Sequence, residues 1–180
     1  MEERQLIEGC IRGETDAQKK LYELYAPAMM SVCQRYVSCR ETARDLLHDG
    51  FVKMFTKINT YSGTGSFNGW MRRVFVTTAL EHLRRNDALR NSVDVEILEY
   101  HGYTQDISIF EQLSANELLD CVADLPEIYR TVFNMHAIEG YKHVEIAKEL
   151  EISDATSRAR YARAREILQK MVTAKLKIEN

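Results

Sequence analysis

A stretch in the first third of the chain places apolar residues at alternating steps of three and one, which is the repeat of an α-helix. Its apolar members are Ala43, Leu46, Leu47, Gly50, Phe51, Met54, Phe55 and Ile58. The pattern predicts a helix over residues 41–58 that buries this stripe and exposes Asp45, His48, Asp49 and Lys53. Because a helix of this kind needs other helices to cover its apolar face, the chain is expected to fold by helix packing.

The rest of the chain also favours helices, since it contains only two prolines and its eight glycines avoid most periodic stretches. The predicted helices cover residues 3–11, 15–37, 41–58, 66–85, 113–123, 126–138, 142–150 and 153–174. In the second helix we expect one inward side, made of Leu21, Leu24, Tyr25, Ala28, Val32 and Tyr36. Thr15 or Asp16 is expected to cap that helix, and Pro27 to bend or interrupt it. Ser66 is expected to cap the fourth helix.

Charge divides the chain into blocks. Residues 1–86 carry a net charge of +3, residues 87–120 carry −7 and residues 121–180 carry +1. Residues 87–112 also lack a sustained apolar period, which is typical of a linker. We therefore predict an all-α protein with two small helical domains, residues 1–86 and 113–180, joined by a flexible acidic linker over 87–112.

Composition excludes several classes of protein. The 180 residues include no apolar run of the roughly 20 residues that a membrane helix needs, and no secretory signal begins the chain. A cytoplasmic protein without direct membrane insertion is expected. The four cysteines, Cys10, Cys33, Cys39 and Cys121, form no CxxC pair, so reduced and mostly buried thiols are expected. No metal-ligand, phosphate-loop or nucleophile motif is present, so we expect that the protein has no catalytic residue and no cofactor.

The strongest local motif is a short helix, a three-residue turn and a longer helix over residues 143–168. This spacing is typical of the helix-turn-helix, whose second helix lies in the DNA major groove. The inward side of that helix is predicted to consist of Tyr161, Ala164, Leu168 and Met171. Its outer side is predicted to consist of Arg158, Ala159, Ala162, Arg163 and Arg165. Glu151 stands in the turn where a left-handed backbone is expected, at a cost on the order of 1 kcal/mol for a residue other than glycine.

A second motif joins a glycine-containing loop with aromatics, residues 61–67, to a helix with a polar stripe of Arg73, Thr77, Glu81 and Arg84. Aromatics beside cations suit single-stranded nucleic acid, because bases stack and phosphates pair with the cations. The alternative is that Phe67, Trp70 and Phe75 are core residues at helical spacing. The residues alone leave both interpretations open.

Together the motifs resemble bacterial sigma factors of the extracytoplasmic-function type. The matching segments are residues 45–51 (DLLHDGF), 67–70 (FNGW), 78–79, 83–85, 125–126, 145–147 and 163–165, with Arg130, Gly140 and Thr156. They follow in order over about residues 5–172. The resemblance implies an initiation factor without enzymatic activity that binds core RNA polymerase and places it on promoter DNA.

The resemblance also implies site residues. For the −35 element these are Arg130, Thr156, Arg158, Ala159, Ala162, Arg163 and Arg165. For the non-template strand of the −10 element they are Tyr61, Ser62, Phe67, Trp70, Arg72, Arg73, Thr77, Glu81, Arg84 and Arg85. For core polymerase they are Asp45, Leu46, His48, Asp49 and Val52. The implied partners are the clamp helices of the largest polymerase subunit, the flap of the second largest, promoter DNA and an anti-sigma protein, often membrane-bound.

The chain departs from the family pattern at His48, where glutamine is usual, at Ser157, where an apolar residue is usual, and at Ala159 and Ala162, which are small. The linker charge either mimics nascent RNA or keeps the segment solvated. Two other functions stay open on the sequence: a conventional helix-turn-helix repressor or activator, and a protein-only adaptor that titrates a regulator.

Overall fold

The computed structural model describes residues 3–85 and 114–178, and no strand occurs within these two ranges. The helices are α1 (Glu3–Ile11), α2 (Thr15–Tyr36), α3 (Arg40–Lys57), α4 (Phe67–Arg85), α5 (Ala115–Ala123), α6 (Glu127–Phe133), α7 (His143–Leu150) and α8 (Asp154–Ile178). A 3₁₀ turn, Ile58–Thr60, follows α3, and a π-helical segment, Asn134–Ile138, follows α6. The all-α prediction is confirmed. The predicted linker over 87–112 lies outside the described residues.

The chain divides into two compact units, Met1–His82 and Leu83–Asn180, with the division inside the last turns of α4. In the first unit α1 packs on α2 and α2 packs on α3. The predicted stripe of α3 is buried apart from Phe55, which is half-buried. Gly50 lets the Phe75 ring of α4 lie directly against the α3 backbone, and that ring meets Phe51 edge-on at 5.1 Å between centroids.

The second helix differs from its prediction in two ways. It continues as one helix through Pro27, so the expected interruption is wrong. Its buried face follows Leu21, Met29, Val32 and Tyr36, and this rotation leaves Leu24 58% exposed.

Serine side chains cap the beginnings of α4 and α5. The Ser66 side chain accepts a bond from the Gly69 amide at 3.3 Å, as predicted. At the start of α2 the prediction is wrong, because Glu14 occupies the cap position and makes no side-chain cap bond. The predicted helix from 113 begins at Ala115, since Ser114 forms a capping box with Glu117.

The second unit is held together by the long helix α8. The core consists of Cys121, Val122, Leu125, Ala164, Leu168 and Val172. Pro126 occupies the cap position before α6 and not the predicted first helical position. The predicted single helix to Ile138 changes to π-helical winding at Asn134, where the Glu139 amide donates to the Asn134 carbonyl at 3.0 Å. All four cysteines are free, and Cys39 is the exposed one.

The helix-turn-helix forms as predicted. Ile146 and Leu150 of α7 are buried. Glu151 adopts the expected left-handed conformation, with φ 55° and ψ 41°. Ser153 caps α8 by accepting a bond from the Thr156 amide at 2.9 Å. The helix then runs four residues beyond the predicted end at Ala174, to Ile178. Within the described ranges, no helix combines the length and the apolar stretch required to cross a membrane.

Candidate nucleic-acid interface

The loop before α4 is a compact turn held by its own side chains. Gly63 and Gly65 adopt positive φ angles of 74° and 77°, which glycine accepts without strain. The Tyr61 hydroxyl donates to the Gly65 carbonyl at 2.7 Å, and the hydroxyls of Ser62 and Thr64 lie 2.6 Å apart. The loop is therefore preorganised, and Ser62 stays exposed at its surface.

Aromatic rings connect this loop to α4. Phe67 stacks on Trp70 with centroids 5.6 Å apart, and Tyr61 contacts both rings. Phe67 is only 2% exposed and is a core residue that supports its neighbours, and its contact with the −10 strand stays a prediction. Phe75 is likewise in the core. Trp70 and Tyr61 are half-buried and keep part of their rings at the surface.

A cavity of about 130 Å³ opens between α3 and α4. From α4 it is lined by Trp70, Arg73, Val74, Thr77, Thr78 and Glu81, which follow one another at alternating steps of three and one on one helix face. From α3 it is lined by Lys53 and Lys57. The Lys53 Nζ lies 2.5 Å from Glu81 Oε2, and both side chains are about one-third exposed, at 34% each. An aromatic ring, three cations and one carboxylate thus surround a single opening.

Only some of the residues predicted for the −10 strand line this cavity. The structure brings Trp70, Arg73, Thr77 and Glu81 together there. The lining does not include the other six, which are Tyr61, Ser62, Phe67, Arg72, Arg84 and Arg85. Sequence reasoning missed Lys53 and Lys57, whose i, i+4 spacing was visible. Their approach to Glu81 depends on how α3 packs against α4.

The outer face of α3 carries the residues predicted to meet polymerase. Asp45, His48 and Asp49 are exposed, and Val52 is 52% exposed, which is high for an apolar side chain. Leu46 is only 2% exposed because it belongs to the apolar stripe, and its contact with a partner stays a prediction.

The beginning of α8 presents a polar outer face. Arg158, Ala159 and Arg163 are exposed there, while Ala162 and Arg165 are half-buried. The Arg165 guanidinium lies 5.8 Å from the centre of the Tyr161 ring, which restricts its position. Arg160, part of the basic run in the sequence, is 6% exposed and lies on the inner side.

The exposed arginines of α8 form ion pairs with carboxylates of the same helix. Arg158 Nε pairs with Asp154 at 2.7 Å, and Arg163 pairs with Glu166 at 2.6 Å. Lys170 pairs with the second oxygen of Glu166 at 2.8 Å. These bonds hold the pKa of Glu166 below its ordinary value. Exposed pairs of this kind contribute about 0–1 kcal/mol, so a phosphate or a base edge can replace the carboxylate at small cost.

Arg130 differs most from its predicted role. It is 5% exposed, and its Nη1 donates to the Ala123 carbonyl at 2.7 Å, at the last residue of α5. Burial lowers the pKa of its guanidinium. Arg130 therefore has a structural role at the end of α5, and its −35 contact stays a prediction.

We expect Arg130→Ala to reduce the free energy of unfolding of the second unit by about 1.5–3 kcal/mol, because it removes a charge-assisted hydrogen bond. Urea unfolding followed by circular dichroism measures this. The fluorescence of Trp70, the sole tryptophan, reports the first unit separately and should not change. Unaltered stability together with altered −35 preference would contradict the structural role.

Within the described residues, no group of three or more His, Cys, Asp or Glu side chains is arranged to hold a metal ion. The arrangement that the structure does provide is one for binding. It consists of a cationic cavity with an aromatic wall on one unit and a helix-turn-helix with exposed arginines on the other.

Comparison with known proteins agrees with both halves of this arrangement. Residues 21–89 match the family model of sigma-70 region 2, and residues 115–168 match that of sigma-70 region 4. The RNA polymerase sigma-H factor of Pseudomonas aeruginosa is 26% identical, with 94% of this chain and 93% of that protein aligned. The ECF RNA polymerase sigma-E factor of Escherichia coli K12 is 27% identical, with 93% and 92% aligned.

Two solved structures share the fold. One is CnrH in complex with the cytosolic domain of CnrY, with a TM-score of 0.51, 19% identity, and 95% of this chain and 97% of that chain covered. The other is the sigma factor RpoE in complex with the anti-sigma factor NepR from Bartonella quintana, with a TM-score of 0.51, 18% identity, and 86% and 96% covered. Matches to both regions, in order in one chain, carry the assignment. The chain belongs to the sigma-70 family and is an extracytoplasmic-function sigma factor, which directs promoter-specific initiation of transcription.

Proposed function

We propose that residues 1–86 bind core RNA polymerase and the −10 non-template strand, that residues 113–180 read the −35 duplex, and that 87–112 connect them. The observation that carries this proposal is that each unit presents one surface suited to DNA. The cavity between α3 and α4 suits an unpaired base, and the outer face at the start of α8 suits a major groove.

The cavity supports capture of a base in three ways. The Trp70 ring offers a stacking surface, and Arg73, Lys53 and Lys57 offer charges for the flanking phosphates. The Glu81 carboxylate accepts hydrogen bonds only, so it favours a base with an exocyclic amino group. Removing a base from its stack costs a few kcal/mol, and these contacts together offset that cost.

We expect Trp70→Ala to weaken binding of the non-template −10 strand by about 1–3 kcal/mol, the range for loss of one base–aromatic stack. Fluorescence anisotropy of a labelled single-stranded oligonucleotide with the protein bound to core polymerase measures this. Trp70→Phe is the matched control and should keep most of the affinity. Equal binding by all three proteins would exclude stacking on this ring.

The outer face of α3 supports docking on polymerase. We assign Asp45, His48, Asp49 and Val52 to contact the clamp helices, because they form a contiguous exposed face with an apolar residue beside charges. We assign the second unit to the flap by family resemblance. The protein would catalyse no reaction itself and would act in the cytoplasm, where core polymerase works.

An anti-sigma protein is a further proposed partner. Among the solved structures that share this fold, one contains the anti-sigma factor NepR and another contains the cytosolic domain of CnrY. The exposed apolar side chains of the first unit, which include Tyr22, Leu24 and Val52, give a protein partner surface to cover.

Assembly with purified core polymerase tests the proposal. We expect a stable complex on gel filtration that binds a −35 duplex and a −10 single strand in one promoter fragment. The free protein should bind duplex DNA weakly, because its net charge is −3. Tight duplex binding without polymerase would instead favour a conventional repressor or activator. A polymerase complex without DNA binding would favour an adaptor.

A further inference from the structure

Two histidines stack face to face inside the helix-turn-helix domain. The rings of His136 and His143 have centroids 4.2 Å apart and an interplanar angle of 21°. His136 Nδ1 lies 2.8 Å from the Tyr141 carbonyl, so it carries a hydrogen and donates it. His143 Nδ1 lies 2.9 Å from the Ser157 hydroxyl. Neither histidine belongs to the surfaces assigned above.

The pair joins three elements of the domain. His136 comes from the π-helical segment, His143 is the first residue of α7, and Ser157 lies in the first turn of α8. Ser157 is completely buried, and it is the position at which the chain departs from an apolar family residue. The bond to His143 explains the hydroxyl there and ties α7 to the beginning of the recognition helix.

The pair also contacts the interior side of the recognition helix further along. Tyr161 lies edge-on to His136, with centroids 4.6 Å apart, and 5.6 Å from His143. Phe133 of α6 stacks on the other side of Tyr161 at 5.8 Å. Since the Arg165 guanidinium lies over the same tyrosine ring, the histidine pair contributes to the position of an arginine beside the outer face.

Most of the charges around His143 oppose its protonation. Two imidazolium rings at this separation would repel each other, and Arg158 of α8 adds a third positive charge. Asp154, also of α8, acts in the opposite direction with a smaller effect, while α6 contributes the apolar ring of Phe133. Burial is the main reason that the pKa of His143 is lowered, followed by the charges of His136 and Arg158.

We propose that the His136–His143 pair positions the recognition helix and makes reading of the −35 element sensitive to pH, with neutral His143 as the competent state. This inference rests on the proposed −35 role of α8. Protonation would separate the stacked rings and release Ser157 and Tyr161 from their present positions. The orientation of Arg158 and Arg165 on α8 would change with them.

The direction of the pH dependence follows from the lowered pKa of His143. Above the ordinary histidine value, about pH 6.5, the ring is neutral in the folded and the unfolded chain, and its contribution to stability is fully present. As the pH falls below that value the unfolded chain takes up the proton first. The stabilisation from neutral His143 is therefore lost towards acidic pH.

Amide hydrogen exchange of the full-length protein tests the structural part. After correction for intrinsic rates, we expect amides of α7 and of the first turns of α8 to exchange at least about threefold faster at pH 5.5 than at pH 7.5. His143→Gln, which keeps a side-chain hydrogen bond to Ser157 but cannot be protonated, should remove most of this difference. His82→Gln, in the first unit, should leave it unchanged. Equal exchange at both pH values in the wild-type protein would overturn the proposal.

Transcription by the assembled holoenzyme tests the functional part. Between pH 7.5 and pH 6.0, we expect the activity of the wild-type protein to fall further than that of His143→Gln with the same core polymerase. Parallel pH profiles would overturn the positioning role even if exchange is pH-dependent. Absence of transcription by both proteins at pH 7.5 would instead contradict the proposed function, and exchange alone would then decide on the histidine pair.

Discussion

Gly50→Ala should destabilise the first unit by at least about 3 kcal/mol, the upper end of the usual cost of overpacking a core. A Cβ added at Gly50 would lie 2.3 Å from Cε1 and 2.5 Å from Cδ1 of Phe75. That ring is 1% exposed and is held by Phe51, so it has no free space into which to move. The gain in helix propensity, about 1 kcal/mol, is too small to offset the clash. The fluorescence of Trp70 during urea unfolding measures the loss.

Gly69→Ala is the matched control on α4. A Cβ there would meet only the Ser66 Cβ, at 3.8 Å, which is ordinary contact. We expect this variant to be neutral or more stable by up to about 1 kcal/mol, because alanine favours the helix. Similar stabilities for the two variants would contradict the close packing of α3 against α4, and with it the geometry of the cavity.

The double variant Arg158→Ala, Arg163→Ala should lose most discrimination at the −35 element. Both side chains are exposed on the outer face of α8, and each is held by a single carboxylate that DNA can displace. Loss of an arginine contact to a base costs about 1–3 kcal/mol, so the two together should lower the preference for the correct element by one to several orders of magnitude. Competition between promoter fragments that differ only in the −35 element measures this.

Lys170→Ala is the control for that experiment. Lys170 is exposed on α8 beyond the predicted base-facing residues, and it shares Glu166 with Arg163. Removing its charge should change affinity for all sequences alike, or not at all, and leave the −35 preference intact. If the arginine variant weakened every fragment equally, the two arginines would be phosphate contacts and the base-reading assignment would be wrong.

Local rules were sufficient for much of the fold. The alternating steps of three and one predicted the buried face of α3, and the hydroxyl of Ser66 predicted the start of α4. The left-handed turn at Glu151 was also predictable, because helix-turn-helix spacing requires it even without glycine. These features depend on residues within a few positions of each other, which a single sequence displays.

Features that depend on distant packing were not predictable. The change from α-helical to π-helical hydrogen bonding at Asn134 adds one residue to a turn, and no local sequence pattern predicts it. The face of α2 that turns inward is set by its neighbours α1 and α3, which is why Leu24 is exposed. The resemblance assigned Arg130 to DNA, whereas its position beside the end of α5 makes it a core residue.

The candidate site also combines features that local sequence predicts with features that depend on distant packing. Trp70, Arg73, Thr77 and Glu81 lie on one stripe of one helix, so their proximity could be predicted. The approach of Lys53 and Lys57 to that stripe depends on the clearance that Gly50 gives to Phe75. The stacking of His136 on His143 depends on the π-helical segment, so their separation in sequence did not indicate it.

Promoter-dependent transcription by purified core RNA polymerase, with and without this protein, is the decisive test of sigma-factor function. On a library of upstream DNA fragments, we expect discrete new start sites whose aligned upstream sequences share a −10 and a −35 element. The Arg158→Ala, Arg163→Ala variant should lose dependence on the −35 element in the same assay. Absence of new start sites together with absence of polymerase binding would contradict the account.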